Sequence, residues 1–242
     1  MVVGDFFLSG FAYGANVGWI NFGNGAPAND TAYSNSTSSD YGVNQDGAGH
    51  LSGFAYGANI GWINFDWAAP NDPDRPRFSL SNGNFSGFAY GANVGWINLG
   101  AGFLATDTLF CADGDGDGIS DAWEIDNFGD KTTANAISDQ DGDGLSDQDE
   151  YFGGSDPKDA ASFLKIVAQS ASPATLPVRD VTLEFTSSPG RLYQIAVSDD
   201  LISFTDSGLG TFAPDPGATT TKGITVSGST KFYRLVAVKP LQ

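Results

Sequence analysis

The sequence predicts a mainly β chain in three segments. These are a domain of three repeated β-hairpins over residues 1–105, a small loop-and-helix segment over 106–160, and a C-terminal Ig-like β-sandwich over 161–242. Three observations carry this prediction. Gly is abundant, at 32 of 242 residues, while charged residues make up only 17%, which suits short strands and tight turns better than helix bundles. One sixteen-residue phrase occurs three times near the front. The last third of the chain breaks into short apolar runs separated by turn signals.

The repeated phrase reads LSGFAYGANVGWINFG at residues 8–23, LSGFAYGANIGWINFD at 51–66 and FSGFAYGANVGWINLG at 85–100. Each copy is expected to form a hairpin, with GFAY as one strand, GAN as the turn and VGWINF as the return strand. Gly14 and Asn16 are expected to supply the positive φ of the turn. Alternation should put Phe11, Tyr13, Val17 and Trp19 on one face and Ala12, Ile20 and Phe22 on the other. Both faces are then apolar, so both should be covered, and Trp19, Trp62 and Trp96 are expected to be core residues. The competing reading is a sugar-binding aromatic face. The repeated Asn residues, Asn16 and Asn21 with their equivalents, suit polar ladders or turn caps.

A further strand should precede copies two and three, at Tyr41-Gly-Val-Asn and Arg77-Phe-Ser-Leu. Copy one has only Met1-Val2-Val3 in that place and therefore looks one strand short. The polar stretch 28–40 is expected to be an exposed, mobile loop.

The acidic segment holds the most specific motif. Residues 113–124 read DGDGDGISDAWE and residues 139–150 read DQDGDGLSDQDE, each matching the twelve-residue EF-hand loop. Positions 1, 3 and 5 offer carboxylates from Asp113, Asp115 and Asp117, and from Asp139, Asp141 and Asp143. Gly118 and Gly144 make the sharp turn, and Ile119 and Leu145 present a carbonyl while anchoring inward. Asp121 and Asp147 are expected to act through water, and Glu124 and Glu150 to close the shell as bidentate ligands. Five such carboxylates in twelve residues repel one another, and a hard cation taking six to eight oxygens makes the loop compact. Calcium is the expected ion. Residues 106–159 carry fourteen Asp and two Glu against Lys131 and Lys158, so −14 of the net −18 is concentrated there. A helix should leave each loop, over 120–128 and 146–152, stopped by Gly129 and Gly153-Gly154. No entering helix is evident. The arrangement resembles dockerin-like and thrombospondin type 3 repeats, which implies a rigid calcium connector in place of a switch.

From residue 163 onward, strands are expected at 163–168, 181–185, 191–197, 223–226 and 231–238. The tail, with SDPKDAASFLKI, SSPGRLYQIAVSDDLISF and KFYRLVAV, resembles C-terminal modules of large secreted proteins from environmental bacteria. The front repeats resemble GYAW-type NxGWI repeats of bacterial surface proteins, with Tyr13-Gly14 where Trp-Ser is often seen. These resemblances imply an extracellular or cell-surface setting, and with it a leader peptide removed before Met1.

Composition excludes several classes of function. A net charge of −18 argues against nucleic acid and anionic membrane surfaces as partners. The single cysteine, Cys111, rules out a disulfide within the chain and is expected to be a small buried hydrophobe. With His50 the only histidine, no Ser/His/Asp or Cys/His set can be built, and nearly every clustered acid is already a calcium candidate. An enzyme is therefore not expected. The leading expectation is a calcium-stabilised extracellular structural protein. It would be a subunit of a fibre or surface assembly, joined head to tail by strands of its own copies. A carbohydrate-binding or adhesion module is the alternative.

Overall fold

The structure, a computed structural model, describes residues 1–69, 71–102, 104–106, 109–172, 178–228 and 231–239. The chain is mainly β, and it groups into two compact units, Met1–Ala134 and Asn135–Pro240. The first acidic loop thus belongs with the repeats and the second with the C-terminal strands.

In the first unit, each repeat is built alike. Copy one runs β1 (Val2–Val3), β2 (Leu8–Ser9), β3 (Phe11–Gly14) and β4 (Gly18–Asn21). Copy two runs β5 (Val43–Gln45), β6 (Leu51–Gly57) and β7 (Gly61–Asn64). Copy three runs β8 (Arg77–Phe78), β9 (Phe85–Ser86), β10 (Phe88–Gly91) and β11 (Gly95–Asn98). Helix α1 (Asp121–Phe128) follows the first acidic loop. The hairpins lie side by side in one sheet ordered β11-β10-β7-β6-β4-β3, with β5 paired to the start of β6.

The first copy is not missing a strand. Val3 pairs with Leu8 as Gln45 pairs with Leu51 and Phe78 with Phe85. Val3 is buried beneath that pairing, so the chain's own first residues fill the position.

The hairpin turn differs from expectation in one particular. Ala15, Asn16 and Val17 form the loop, the Val17 amide donates to the Gly14 carbonyl at 3.1 Å, and the positive φ falls on Gly18 (80°). Gly61 and Gly95 repeat this at 77°, while Gly14 and Asn16 stay at negative φ. This is a tight turn followed by a left-handed residue, the usual three-residue hairpin loop. Gly14 is needed for a different reason: a Cβ there would lie 2.6 Å from Val17 Cγ2. Val17 therefore folds back onto the core side with Ala12 and Ile20, and does not join Tyr13 and Trp19.

The core of this unit lies on one face of the sheet only. Ile63, Phe65, Ala55 and Ala89 meet Val3, Leu8, Val43, Leu51, Phe78 and Phe85 there. Burying each large apolar side chain contributes about 1.5–3 kcal/mol. Ala on the strands leaves room for the rings, and Phe22 and Phe65 meet edge-on with centroids 5.9 Å apart. The stretch 28–40 is anchored instead of loose. Tyr33 is buried, its hydroxyl accepts from the Gly25 amide at 2.7 Å, and its ring occupies the space where Gly23 and Gly42 lack side chains.

In the second unit, α2 (Asp147–Gly153) is followed by β12 (Ile166–Ala171), β13 (Val178–Thr186), β14 (Leu192–Ser198), β15 (Thr205–Asp206), β16 (Thr219–Ser227) and β17 (Phe232–Val238). They form two sheets, β12-β13-β16 and β15-β14-β17. Val181, Leu183, Phe185, Ile224 and Val226 of one meet Tyr193 and Ile195 of the other. The period-2 burial of β13 is the alternation a sandwich strand requires. The two-residue β15 has no periodicity for a sequence reading to detect.

Candidate calcium loops and an exposed aromatic face

Each acidic loop folds around its own first aspartate. Asp113 accepts the Gly116 amide at 2.7 Å and the Gly118 amide at 3.0 Å; Asp139 accepts Gly142 and Gly144 at the same distances. Gly118 (φ 93°) and Gly144 (φ 98°) hold the left-handed turn that aims successive carboxylates inward. The result brings ligand oxygens of Asp113, Asp115 and Asp117 within 4.8 Å of one another, and likewise those of Asp139, Asp141 and Asp143.

The exit helices begin at Ser120 and Ser146 and end on left-handed Gly129 and Gly154. They place Glu124 and Glu150 one turn in, and both side chains are fully buried. Neither oxygen of Glu124 has a hydrogen-bond partner, nor do Glu150 Oε2, Asp141 Oδ2 and Asp147 Oδ2. Glu150 Oε1 accepts the Ser155 hydroxyl at 3.2 Å. Burial, and then the charges of Asp115, Asp117 and Asp121, push the Glu124 carboxyl up to about 7. Burial, with Asp141, Asp143 and Asp147, does the same to Glu150. Buried, unpartnered carboxylate oxygens beside three more carboxylates are strongly unfavourable alone and favourable around a divalent cation. The donor set, all oxygen, fits calcium.

Asp121 and Asp147 each use Oδ1 to accept a loop amide, Gly114 at 2.6 Å and Gln140 at 3.1 Å, and so brace the loop. Ile119 is buried, but Leu145 is exposed and does not anchor inward. Cys111 is only partly buried, and its thiol donates to Asp5 Oδ1 at 2.9 Å, so it is not simply a buried hydrophobe. His50 Nδ1 sits 2.7 Å from Asp46 Oδ2 within a turn.

The second site is one that the sequence reading placed in the core. The face of the repeat sheet opposite the core carries Tyr13, Trp19, Tyr56, Trp62, Tyr90 and Trp96, all exposed. Trp19 is 62% exposed, Trp62 44% and Trp96 58%. Register explains it: Tyr13 pairs with Trp19, Tyr56 with Trp62 and Tyr90 with Trp96, while Ala and Ile alternate onto the buried face. Each Tyr–Trp pair meets edge-on with centroids 5.0–5.1 Å apart. Trp62 also meets Tyr41 at 4.8 Å, and the two line a groove with Phe54, Asn35, Ser36, Thr37 and Ser38. One signal in the sequence pointed this way. Asn21 alternates onto the same face as Trp19, and an amide among rings marks a face that meets water.

The sequence profile of one family, the bacterial TSP3 repeat, matches residues 113–129 and 139–160. The loops just described are thus similar to thrombospondin type 3 repeats, a calcium-binding family of extracellular type. Neither a curated protein nor a solved structure matches the chain. No helix among the described residues is long and apolar enough to cross a membrane.

Proposed function

We propose that this chain is a non-catalytic, calcium-stabilised binding module of an extracellular protein, and that its aromatic sheet face takes neutral carbohydrate. The observation carrying this is the groove at Trp62. Aromatic rings of Trp62, Tyr41 and Phe54 offer flat apolar surface to the C–H face of a sugar. The amide of Asn35 and the hydroxyls of Ser36, Thr37 and Ser38 line the same groove and suit sugar hydroxyls. Among the described residues no charged side chain lines it, and a net charge of −18 disfavours acidic glycans. Exposed tryptophan in three successive hairpins is costly to keep in water unless something stacks on it.

A glycan array probed with the calcium-loaded protein tests the reading. Neutral polysaccharides should be retained, and Trp62→Ala should abolish retention with the fold intact by circular dichroism. Unchanged retention by Trp62→Ala, or no retention of any neutral glycan by the wild type, overturns it. The strand that copy one lacked in the sequence reading is β1, paired with β2, so a fibre would not need a strand donated into that place.

A further inference from the structure

Two seams join the three hairpins, and they are the same seam. At the first, β4 pairs with β6 so that Ile20 faces Gly57 and Asn21 faces Tyr56. At the second, β7 pairs with β10 so that Ile63 faces Gly91 and Asn64 faces Tyr90. A side-chain bond locks each: Asn59 Nδ2 donates to the Val17 carbonyl and Asn93 Nδ2 to the Ile60 carbonyl, both at 3.2 Å. The locking amide lies over a glycine. A Cβ on Gly18 would be 2.7 Å from Asn59 Nδ2, and one on Gly61 would be 2.9 Å from Asn93 Nδ2.

The two ends of the sheet carry the unused halves of this seam. On β11 and the turn before it, Val94, Gly95, Ile97 and Asn98 stand where Val17, Gly18, Ile20 and Asn21 stand at the first seam. Nothing lies within 4 Å of a Cβ on Gly95, so the cradle that holds an Asn amide at Gly18 and Gly61 is open there. At the other end, Tyr13, Gly14 and Asn16 stand where Tyr56, Gly57 and Asn59 do, and the exposed Asn16 side chain has no partner among the described residues. Both edge strands, FAYG and GWIN, lack the charges and prolines that normally protect a sheet edge.

We infer that a second copy of this chain continues the ladder, with β3 of one copy pairing antiparallel to β11 of the next. The register follows from the internal seams: Asn98 faces Tyr13 of the next copy, Ile97 faces its Gly14, and its Asn16 amide donates to the Val94 carbonyl over Gly95. The two surfaces differ, so the contact is head to tail and each addition leaves a fresh edge. It grows into a filament unless its rotation closes a ring. This joint stands apart from the carbohydrate reading, since it uses sheet edges and main-chain bonds and not the aromatic face.

Disulfide trapping on the full chain with calcium tests it. In a Cys111→Ser background, Tyr13→Cys and Asn98→Cys are combined. Within one chain these positions lie five strand spacings apart, roughly 24 Å, too far for a bond. In the proposed register they are directly opposite, about 5.5 Å between Cα atoms. Mild oxidation should give a covalent ladder beyond dimer on a denaturing gel, while either single variant stops at dimer. The off-register pair Phe11→Cys with Asn98→Cys should do no better than the singles. Gly95→Asn supplies a second measurement. Asn tolerates the left-handed backbone and has free space in the monomer, so melting should be preserved while its side chain fills the cradle. Association measured by sedimentation should weaken by about tenfold or more. A double-cysteine protein that crosslinks no further than the singles, or equally well off register, overturns the proposal. So does a wild type that stays monomeric at its highest soluble concentration.

Discussion

Glu124 and Glu150 show what a single side chain contributes to the acidic loops. Both carboxyls stand near 7 without the ion, against an ordinary value of 4.5, because they are buried among other carboxylates. Between those values the native state holds protons that the unfolded state has released, so calcium-free protein should lose stability as pH rises from 4.5 through 7. Carboxylates held low by hydrogen bonds, such as Asp130 and Asp215, titrate below that window and leave the sign unchanged. Melting in EDTA should therefore be higher at pH 5 than at pH 8, and the increment from calcium larger at pH 8, since the ion must displace the protons. The doubly substituted Glu124→Gln, Glu150→Gln protein should lose both dependences. Equal EDTA melting at the two pH values in the wild type would refute the burial argument. The tryptophans give a second contrast. Trp62→Ala removes a half-exposed ring and should cost about 1 kcal/mol, against about 3–5 kcal/mol for Phe65→Ala in the core beneath it. Urea denaturation of the two variants measures the difference.

The hairpin depends on a few backbone positions more than on strand propensity. Gly53 and Gly87 sit at φ 84° and 79° between the core-facing start of each repeat and its hairpin. A Cβ at Gly87 would come 2.2 Å from the Arg75 carbonyl oxygen. Gly87→Ala should thus destabilise the first unit by more than the roughly 1 kcal/mol of an ordinary Gly-to-Ala change at positive φ, because the neighbour is backbone and cannot yield. Calorimetry would show it, and an unchanged melting temperature would contradict the assigned conformation. Asn59→Ala removes one locking bond and should cost about 1 kcal/mol. These glycines were visible in the repeat, but their roles were not. Gly14 and Gly18 look equivalent in a turn motif; contact with Val17 separates the one that avoids a clash from the one that turns the chain.

Each compact unit contains one of the two acidic loops, so calcium dependence is expected to be divisible. Glu124→Gln should lower the thermal stability of the unit built from the repeats, and Glu150→Gln that of the unit containing the sandwich. In the latter, α2 carries buried Tyr151, whose carbonyl accepts from Arg191 at the head of β14. Scanning calorimetry with saturating calcium should show a different transition moving in each variant. If both variants shift the same transition equally, the units do not bind calcium independently.

The acidic loops, their exit helices and the strand-rich tail were legible because each rests on local chemistry. Spaced carboxylates, a left-handed glycine and period-2 alternation act within a dozen residues, and the helices fall within a residue of the predicted spans, α2 running on through Gly153 to its left-handed cap at Gly154. Which face of the repeat sheet would be covered was not legible from apolar pattern, because both faces carry apolar residues and only Asn21 and its equivalents mark the wet one. That outcome depends on β1, β5, β8 and the segments around them all packing beneath Ala55, Ile63 and Ala89. Once that single layer is filled, the rings of Trp19, Trp62 and Trp96 remain in solvent. A short local hairpin, Val2 with Ser9 and Val3 with Leu8, completes the repeat that looked short, and it is held because Val3 and Leu8 are buried in the shared core. Periodicity tells a strand which residues share a side; only the rest of the chain, folded against one side, tells it which side is inside.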